Sequence, residues 1–203
     1  MKPTREIIIV MLVAIAGAGL TVALQQLTTQ PIAAQQRDLQ NRTLLDLLPL
    51  AGYDIQPLAH PLLASPVALN HSRLLNGYLA TLSGQPSAVV LHSQTIGYND
   101  SIELLIAIAG NGKVLGVKTL KQSETPGLGG HITEPGHPWL AAFKGLSPNT
   151  PQEPAWALRK DGGQFDQMAG ATVTSRAVLN AIHDALGYFD EHRQHLLERP
   201  VDE

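Results

Sequence analysis

Two glycine-rich runs carry the residue types from which a phosphate site or a flat-ring site is built. The first is Gly170-Ala171-Thr172-Val173-Thr174-Ser175. It stands immediately before a segment in which Ala177, Val178, Ala181, Ile182, Ala185, Leu186 and Phe189 recur at helical spacing. Gly170 and Ala171 leave steric room, and Thr172, Thr174 and Ser175 offer hydroxyls. The N-terminus of the following helix adds unpaired N–H groups and the positive end of a dipole, which together favour a phosphate. The same composition also makes an ordinary helix cap, for which Thr and Ser are favoured. The second run, Ser123-Glu124-Thr125-Pro126-Gly127-Leu128-Gly129-Gly130, follows a predicted strand and places three glycines in four positions. Backbone without Cβ atoms can approach a flat or phosphorylated ligand closely. A plain Gly/Pro surface loop has the same residues.

Other chemistry is harder to find. The eight histidines make no metal pattern; His192 and His195 lie three apart in a polar tail with no third ligand nearby. Glu103, inside a predicted strand, reads as a solvent-facing residue. No Ser/His/Asp order, paired-carboxylate spacing or Walker-type loop stands out. The absence of cysteine excludes disulfides, Cys-ligated zinc, iron–sulfur clusters and a thiol nucleophile. Acids outnumber bases by 17 to 14, for a formal charge of −3, which gives no basis for nucleic-acid binding. With 44% hydrophobic and 15% charged residues, the chain is too apolar for a disordered one.

The elements that must position these runs are partly readable. Ser87–Thr95 reads as a strand. Ser101–Ala109 and Val114–Leu120 flank Gly110-Asn111-Gly112-Lys113, a strong hairpin signal because Asn and Gly tolerate positive φ. Residues 51–86 give a mixed signal and predict only short elements. Asp161-Gly162-Gly163 reads as a turn, and Trp139 and Phe143 punctuate a Gly/Pro-dense stretch from Ser123 to Pro154. A helix follows from Ser175, and the end of the chain, 191–203, reads as a solvated polar tail. Strands followed by helices without βαβ alternation predict an α+β domain with a mostly antiparallel sheet.

The N-terminus departs from a soluble pattern. Ile7–Leu24 is almost wholly apolar and shows no polar face. As a helix it spans roughly 27 Å, close to the hydrocarbon thickness of a bilayer. Lys2 and Arg5 precede it, which predicts a cytoplasmic tail and an external remainder. Ala33-Ala34 would suit a signal-peptidase site, but the apolar run is long for a signal, and a retained anchor is expected. Gln25 to Leu50, with Leu39, Leu44, Leu45, Leu47 and Leu48, reads as a helix bent by Pro31 and ended by Pro49. The expected organisation is a tail at 1–6, a transmembrane helix at 7–24, a juxtamembrane entry at 25–86, a domain at 87–190 and a tail at 191–203.

The run from Asp161 to Val178 resembles the flavin-attachment segment of the membrane-anchored FMN-binding proteins, in particular the G subunit of the Rnf electron-transport complex. The family is related to the C subunit of the sodium-pumping NADH:quinone reductase. Glu124-Thr125-Pro126-Gly127-Leu128-Gly129 is similar to the family's second motif, and Gly97-Tyr98, Trp139 and Phe143-Lys144-Gly145 also fit its pattern. The single apolar span fits too, so the resemblance covers most of the chain and is weakest over 25–86.

The resemblance implies an α+β FMN-binding domain on a single transmembrane helix, with FMN bound by a phosphoester to the second threonine of Gly-Ala-Thr-x-Thr. That position is Thr174. It implies further cofactor contacts from Gly170, Ala171, Thr172, Ser175, Glu124, Thr125, Leu128 and Gly129, with no catalytic side chain and no metal. Ala169 stands where the family usually has Ser or Thr, a change that bears on recognition by the flavin transferase. The implied role is an electron relay in an Rnf-type complex coupling NADH/ferredoxin redox chemistry to ion translocation. The implied partners are the other subunits, a flavin transferase and the lipid bilayer of a bacterial inner membrane, with the domain in the periplasm. An anchored sensor holding a noncovalent ligand, or a structural subunit with no cofactor, are the competing expectations.

Overall fold

The computed structural model describes residues 9–15, 17, 19, 47–48, 53–55, 62–134, 136–152 and 154–198. They fall into two compact units, divided after Arg42. In the first, residues 9–15, 17 and 19 are helical (α1), and the large apolar side chains from Ile9 to Ile15 are exposed. Among the described residues no helix is long and apolar enough to cross a membrane. The rest of the expected 7–24 span, the tail at 1–6 and most of the expected helix at 25–50 lie outside the described residues.

The second unit is built on an antiparallel sheet. Its strands are β1 (Tyr53–Ile55), β2 (Val67–Ala68), β3 (Ser72–Leu82), β4 (Gln85–Ile96), β5 (Ser101–Ala109) and β6 (Val114–Lys121). The order across the sheet is β1-β3-β4-β5-β6, with β2 pairing to β3 off this path. The expected α+β class with a mostly antiparallel sheet is thus what the chain adopts. Pairings such as Leu91↔Ile106 and Leu105↔Lys118 set one register across the centre. The β5–β6 hairpin forms where Asn111-Gly112 predicted it. Only Gly112 takes positive φ, at 84°, while the Asn111 carboxamide accepts a hydrogen bond from the Lys113 amide at 3.1 Å.

Both faces of the sheet are buried. On one, Val89, Leu91, Leu104, Ile106 and Ile108 pack with the long helix α3 (Thr172–Leu197). On the other, Ala80, Ala88, Val90, Leu105 and Ala107 cluster with Leu47 and Leu48. Double-sided burial is why β5 reads as a continuous apolar run rather than an alternating one. Helix α3 presents Val178, Leu179, Ile182, Ala185, Leu186 and Phe189, the stripe that its 3.6-residue period puts on one side. A short helix, α2 (Pro138–Ala141), and 3-10 turns at Gly129–Thr133 and Arg159–Asp161 complete the domain.

Three local differences from the sequence reading have physical causes. The 11-residue strand β3 lies where only short elements were expected; its bulges beside Asn76 and Thr81 break the alternation that would have marked it. Helix α3 begins at Thr172 rather than Ser175, so the hydroxyl-bearing run occupies its first turn. It also continues into the expected polar tail at 191–203, as far as Leu197. His192 departs from helical geometry, its ring nitrogen lying 3.0 Å from the Tyr188 carbonyl four residues back, and beyond this kink Leu196 is buried.

Phe189 is fully buried between α3 and the sheet. Phe189→Ala is expected to lower stability by about 3–5 kcal/mol. Ile96→Ala, at a side chain 71% exposed, is expected to stay within about 0.5 kcal/mol. Urea unfolding followed by circular dichroism measures both.

Candidate functional site

The site forms where three segments meet: the β4–β5 turn, the loop leaving β6, and the first turn of α3. Glu124, on the loop, joins them. Its side chain is only 5% exposed. Oε1 accepts hydrogen bonds from the backbone amides of Tyr98 and Asn99, each at 3.0 Å. Oε2 accepts the hydroxyl proton of Thr174, which is itself buried. The loop is held from its other side as well: the Glu124 amide donates to Gln122 Oε1, and Asn99 Nδ2 donates to the Ser123 carbonyl at 2.9 Å. A buried carboxylate is tolerable only with donors of this kind around it, each charge-assisted bond contributing about 1.5–3 kcal/mol.

Two glycines clear the space that this carboxylate occupies. A Cβ at Gly97 would lie 2.5 Å from Glu124 Oε1, and one at Gly129 would lie 2.7 Å from Thr174 Oγ1. A Cβ at either position would push this pair of side chains aside, whatever the backbone angles.

Around the Glu124–Thr174 pair opens a cavity of about 470 Å³, lined by Tyr98, Glu124, Thr125, Leu128, Gly129 and the run Gly170–Thr174. That volume lies within the range of small-molecule and cofactor sites. Eight of the nine site residues expected from sequence line it: Glu124, Thr125, Leu128, Gly129, Gly170, Ala171, Thr172 and Thr174. Ser175 does not. It is fully buried, with its hydroxyl accepting from the Met168 amide at 3.0 Å and donating to the Ala171 carbonyl at 2.8 Å. It fastens the preceding turn to the helix. Tyr98 and Val173 line the cavity without having been expected; Val173 is the variable position of the threonine motif, and Tyr98 follows a glycine that the geometry requires.

The α3 N-terminus is open toward this space. Its N-cap is Ala171, and no side chain caps it, so the threonine and serine hydroxyls do not serve the ordinary capping role. First-turn amides and the positive dipole end remain available to an anion. Gly170, at φ 69°, turns the chain into the helix, and Leu128 packs where its side chain would be.

An aromatic cluster fixes the approach to the motif. Trp139 Nε1 donates to the Asp166 carbonyl at 2.5 Å. Phe143 meets Trp139 edge-on at 5.0 Å and stacks on Phe165 at 5.2 Å, and Trp156 lies 5.0 Å from Phe165. On the far side of Leu128, a second cavity of about 350 Å³ is lined by Gly127, His131, His137, Trp139, Met168 and Ala169. There, His131 is held above the usual imidazole range, first by its hydrogen bond to Glu134 and then by that carboxylate's charge. Glu103 is half-buried rather than solvent-facing, 3.0 Å from His92 Nε2 and 3.8 Å from Lys121 Nζ.

The arrangement suits a ligand with an anionic group and a flat apolar part. An anion finds the uncapped helix end, a hydroxyl acceptor stands in the wall, and Tyr98, Leu128 and Val173 offer apolar surface at the mouth. Gly129→Ala is expected to force Thr174 and Glu124 apart and cost about 1–3 kcal/mol. Gly127→Ala, at φ 79° with open space around it, is expected to cost about 1 kcal/mol from backbone strain alone. Differential urea midpoints distinguish the two.

Residues 97–187 match the model of the FMN-binding domain family, a range that contains every residue of the cavity. The chain is 44% identical over 195 residues to the G subunit of the ion-translocating oxidoreductase complex of Pseudomonas aeruginosa, covering 95% of this chain and 91% of that protein. Proteins of the same name from Shewanella loihica and Vibrio cholerae are 39% and 38% identical, over 94% and 92% of this chain and 91% and 90% of those proteins. Among solved structures, it is similar to the C subunit of the Na(+)-translocating NADH-quinone reductase from Parabacteroides distasonis. That likeness has 19% identity and a TM-score of 0.46, over 63% of this chain and 65% of that one. Shewanella oneidensis NqrC matches at 27% identity and a TM-score of 0.47, over 61% of each chain.

Proposed function

The chain belongs to the G-subunit family of ion-translocating oxidoreductase complexes, and from that premise we propose that it relays electrons as a flavoprotein subunit of an Rnf-type complex, with FMN bound to Thr174 through a phosphoester. The observation that carries this reading is the position of the Thr174 hydroxyl: it lies in the wall of a cavity that opens onto an uncapped helix N-terminus.

The residues present fit FMN. The first-turn amides of α3 and its dipole stabilise a phosphate held on Thr174. Gly129 and Gly170 keep Cβ atoms out of the space beside it. Leu128, Tyr98 and Val173 give apolar surface for a ring system, and Thr125 and Glu124 give polar groups near it. FMN supplies reversible one- and two-electron chemistry when bound; the protein supplies its position, its hydrogen bonds and its shielding from water. Relaying electrons requires no side chain to act as acid or base, and the nucleotide and metal chemistry of the complex falls to other subunits. A covalent link suits an extracytoplasmic carrier, where a lost cofactor is not readily replaced, and it requires a flavin transferase for maturation.

The N-terminal segment 7–24 serves in this reading as a single transmembrane anchor in the bacterial inner membrane. Lys2 and Arg5 keep the tail cytoplasmic and place the FMN domain on the periplasmic side.

Two experiments test these statements. After co-expression with a flavin transferase, Thr174→Ala is expected to abolish flavin fluorescence in a denaturing gel while Thr172→Ala retains it. A Thr174→Ala band as bright as wild type refutes the attachment site. Protease added to intact spheroplasts is expected to digest the domain after residue 25. Protection there with digestion in inverted vesicles reverses the topology.

A further inference from the structure

The acceptor hydroxyl is shut away in the unmodified chain. Thr174 is 1% exposed, its proton is donated to Glu124 Oε2, and the backbone of Gly129 closes over it so tightly that a Cβ there would come within 2.7 Å of Oγ1. If the donor is a flavin dinucleotide, Oγ1 attacks its flavin-side phosphorus. The Oγ1–P bond forms, the pyrophosphate P–O bond breaks, adenylate leaves with the bonding pair, and the hydroxyl proton is released. In this geometry Oγ1, although in the cavity wall, is engaged by Glu124 and almost without exposed surface. Once esterified, Oγ1 has no hydrogen to donate, and the phosphodiester brings a negative charge beside the Glu124 carboxylate. The Thr174–Glu124 contact therefore belongs to the unmodified chain alone.

Resting on the reading of Thr174 as the attachment residue, we infer that Glu124 is a latch. It closes the loop 122–130 over the α3 N-terminus, and attachment proceeds from an open form in which that loop is off the helix. The loop is built to open. Ser123, Thr125, Pro126, Gly127 and Leu128 are all exposed, leaving Glu124 and Gly129 as its buried residues between 123 and 129. Gly127, at φ 79° with nothing within 4 Å of a Cβ, offers a pivot. What holds the loop shut at Glu124 is three hydrogen bonds to its carboxylate, from the amides of Tyr98 and Asn99 and from the Thr174 hydroxyl. Maturation then competes with closure: a chain that meets the transferase before the latch sets is modified faster than one already closed.

The test uses the purified full chain, expressed without a flavin transferase and held in detergent. It is given transferase, magnesium and flavin dinucleotide, and attachment is followed by in-gel fluorescence. In one arm the wild-type chain is folded beforehand; in the other it is diluted from urea directly into the reaction, at equal final urea. The refolding chain is expected to label at least fivefold faster in its initial phase. Glu124→Gln, whose carboxamide oxygen can still accept from Tyr98 and Asn99, is expected to label at least fivefold faster than folded wild type, with its melting temperature confirming the fold. Equal progress in the two wild-type arms overturns the latch, and this comparison decides the matter should Glu124→Gln fail to fold. A folded Glu124→Gln that labels at or below the wild-type rate also overturns it, making the carboxylate a proton acceptor that attachment needs. Peptide mass mapping separates failure of the latch from failure of the attachment reading: flavin on any residue other than Thr174 retires that reading, and the latch with it.

Discussion

A carboxylate buried at the junction of three segments sets the terms for the rest of this domain. Glu124 is only 5% exposed, and at that burial its carboxylate depends on protein donors. The β4–β5 turn gives two amides and helix α3 gives one hydroxyl. Each requirement propagates outward. Gly97 must lack a side chain so that the turn can reach one oxygen, and Gly129 must lack one so that the helix can reach the other. The helix must begin at Thr172 for Thr174 to face inward, and the Ser175 hydroxyl holds the preceding turn so that it does. Remove the charge and these constraints lose their common purpose.

The sheet and helix supply the rigidity on which such a junction depends. Burial of β4 and β5 on both faces makes the β4–β5 turn an extension of the most enclosed part of the fold. The apolar stripe of α3 lies against the same strands. The loop 122–130, by contrast, has few buried side chains, and regions of this kind open locally at low cost. The domain thus combines two walls built on the core with one lightly buried loop.

Much of the cavity's lining was legible because its residue types are unusual in sequence. Glycines clustered near hydroxyls before an amphipathic run mark close backbone approach, and eight of the nine expected residues do line one cavity. Spacing along the chain cannot show that the Thr174 hydroxyl donates a hydrogen bond to Glu124, fifty residues away. That pairing depends on the register of β6 beside β5 and on the packing of α3, which are tertiary facts. Ser175 lies outside the cavity lining for a reason spacing does not carry either: a hydroxyl in a glycine-rich motif looks the same whether it faces a ligand or fastens a turn. Strand β3 was hidden by its own bulges, and the last helical turns by charged residues that surround the buried Leu196.

Helix α3 is both the main core element and the element that aims its positive end into the cavity. From Thr174 to Phe189 is fifteen residues, roughly 22 Å at about 1.5 Å per residue. Over that length an α-helix behaves as a lever, so a small tilt imposed by repacking at Phe189 swings the hydroxyl at the other end. Catalytic and binding groups tolerate little such displacement; about 1 Å is enough to matter. The break at His192 limits the lever's reach. Beyond it, the turn carrying Leu196 can shift without re-aiming the dipole, whereas the residues before it transmit the state of the core directly to the mouth of the site.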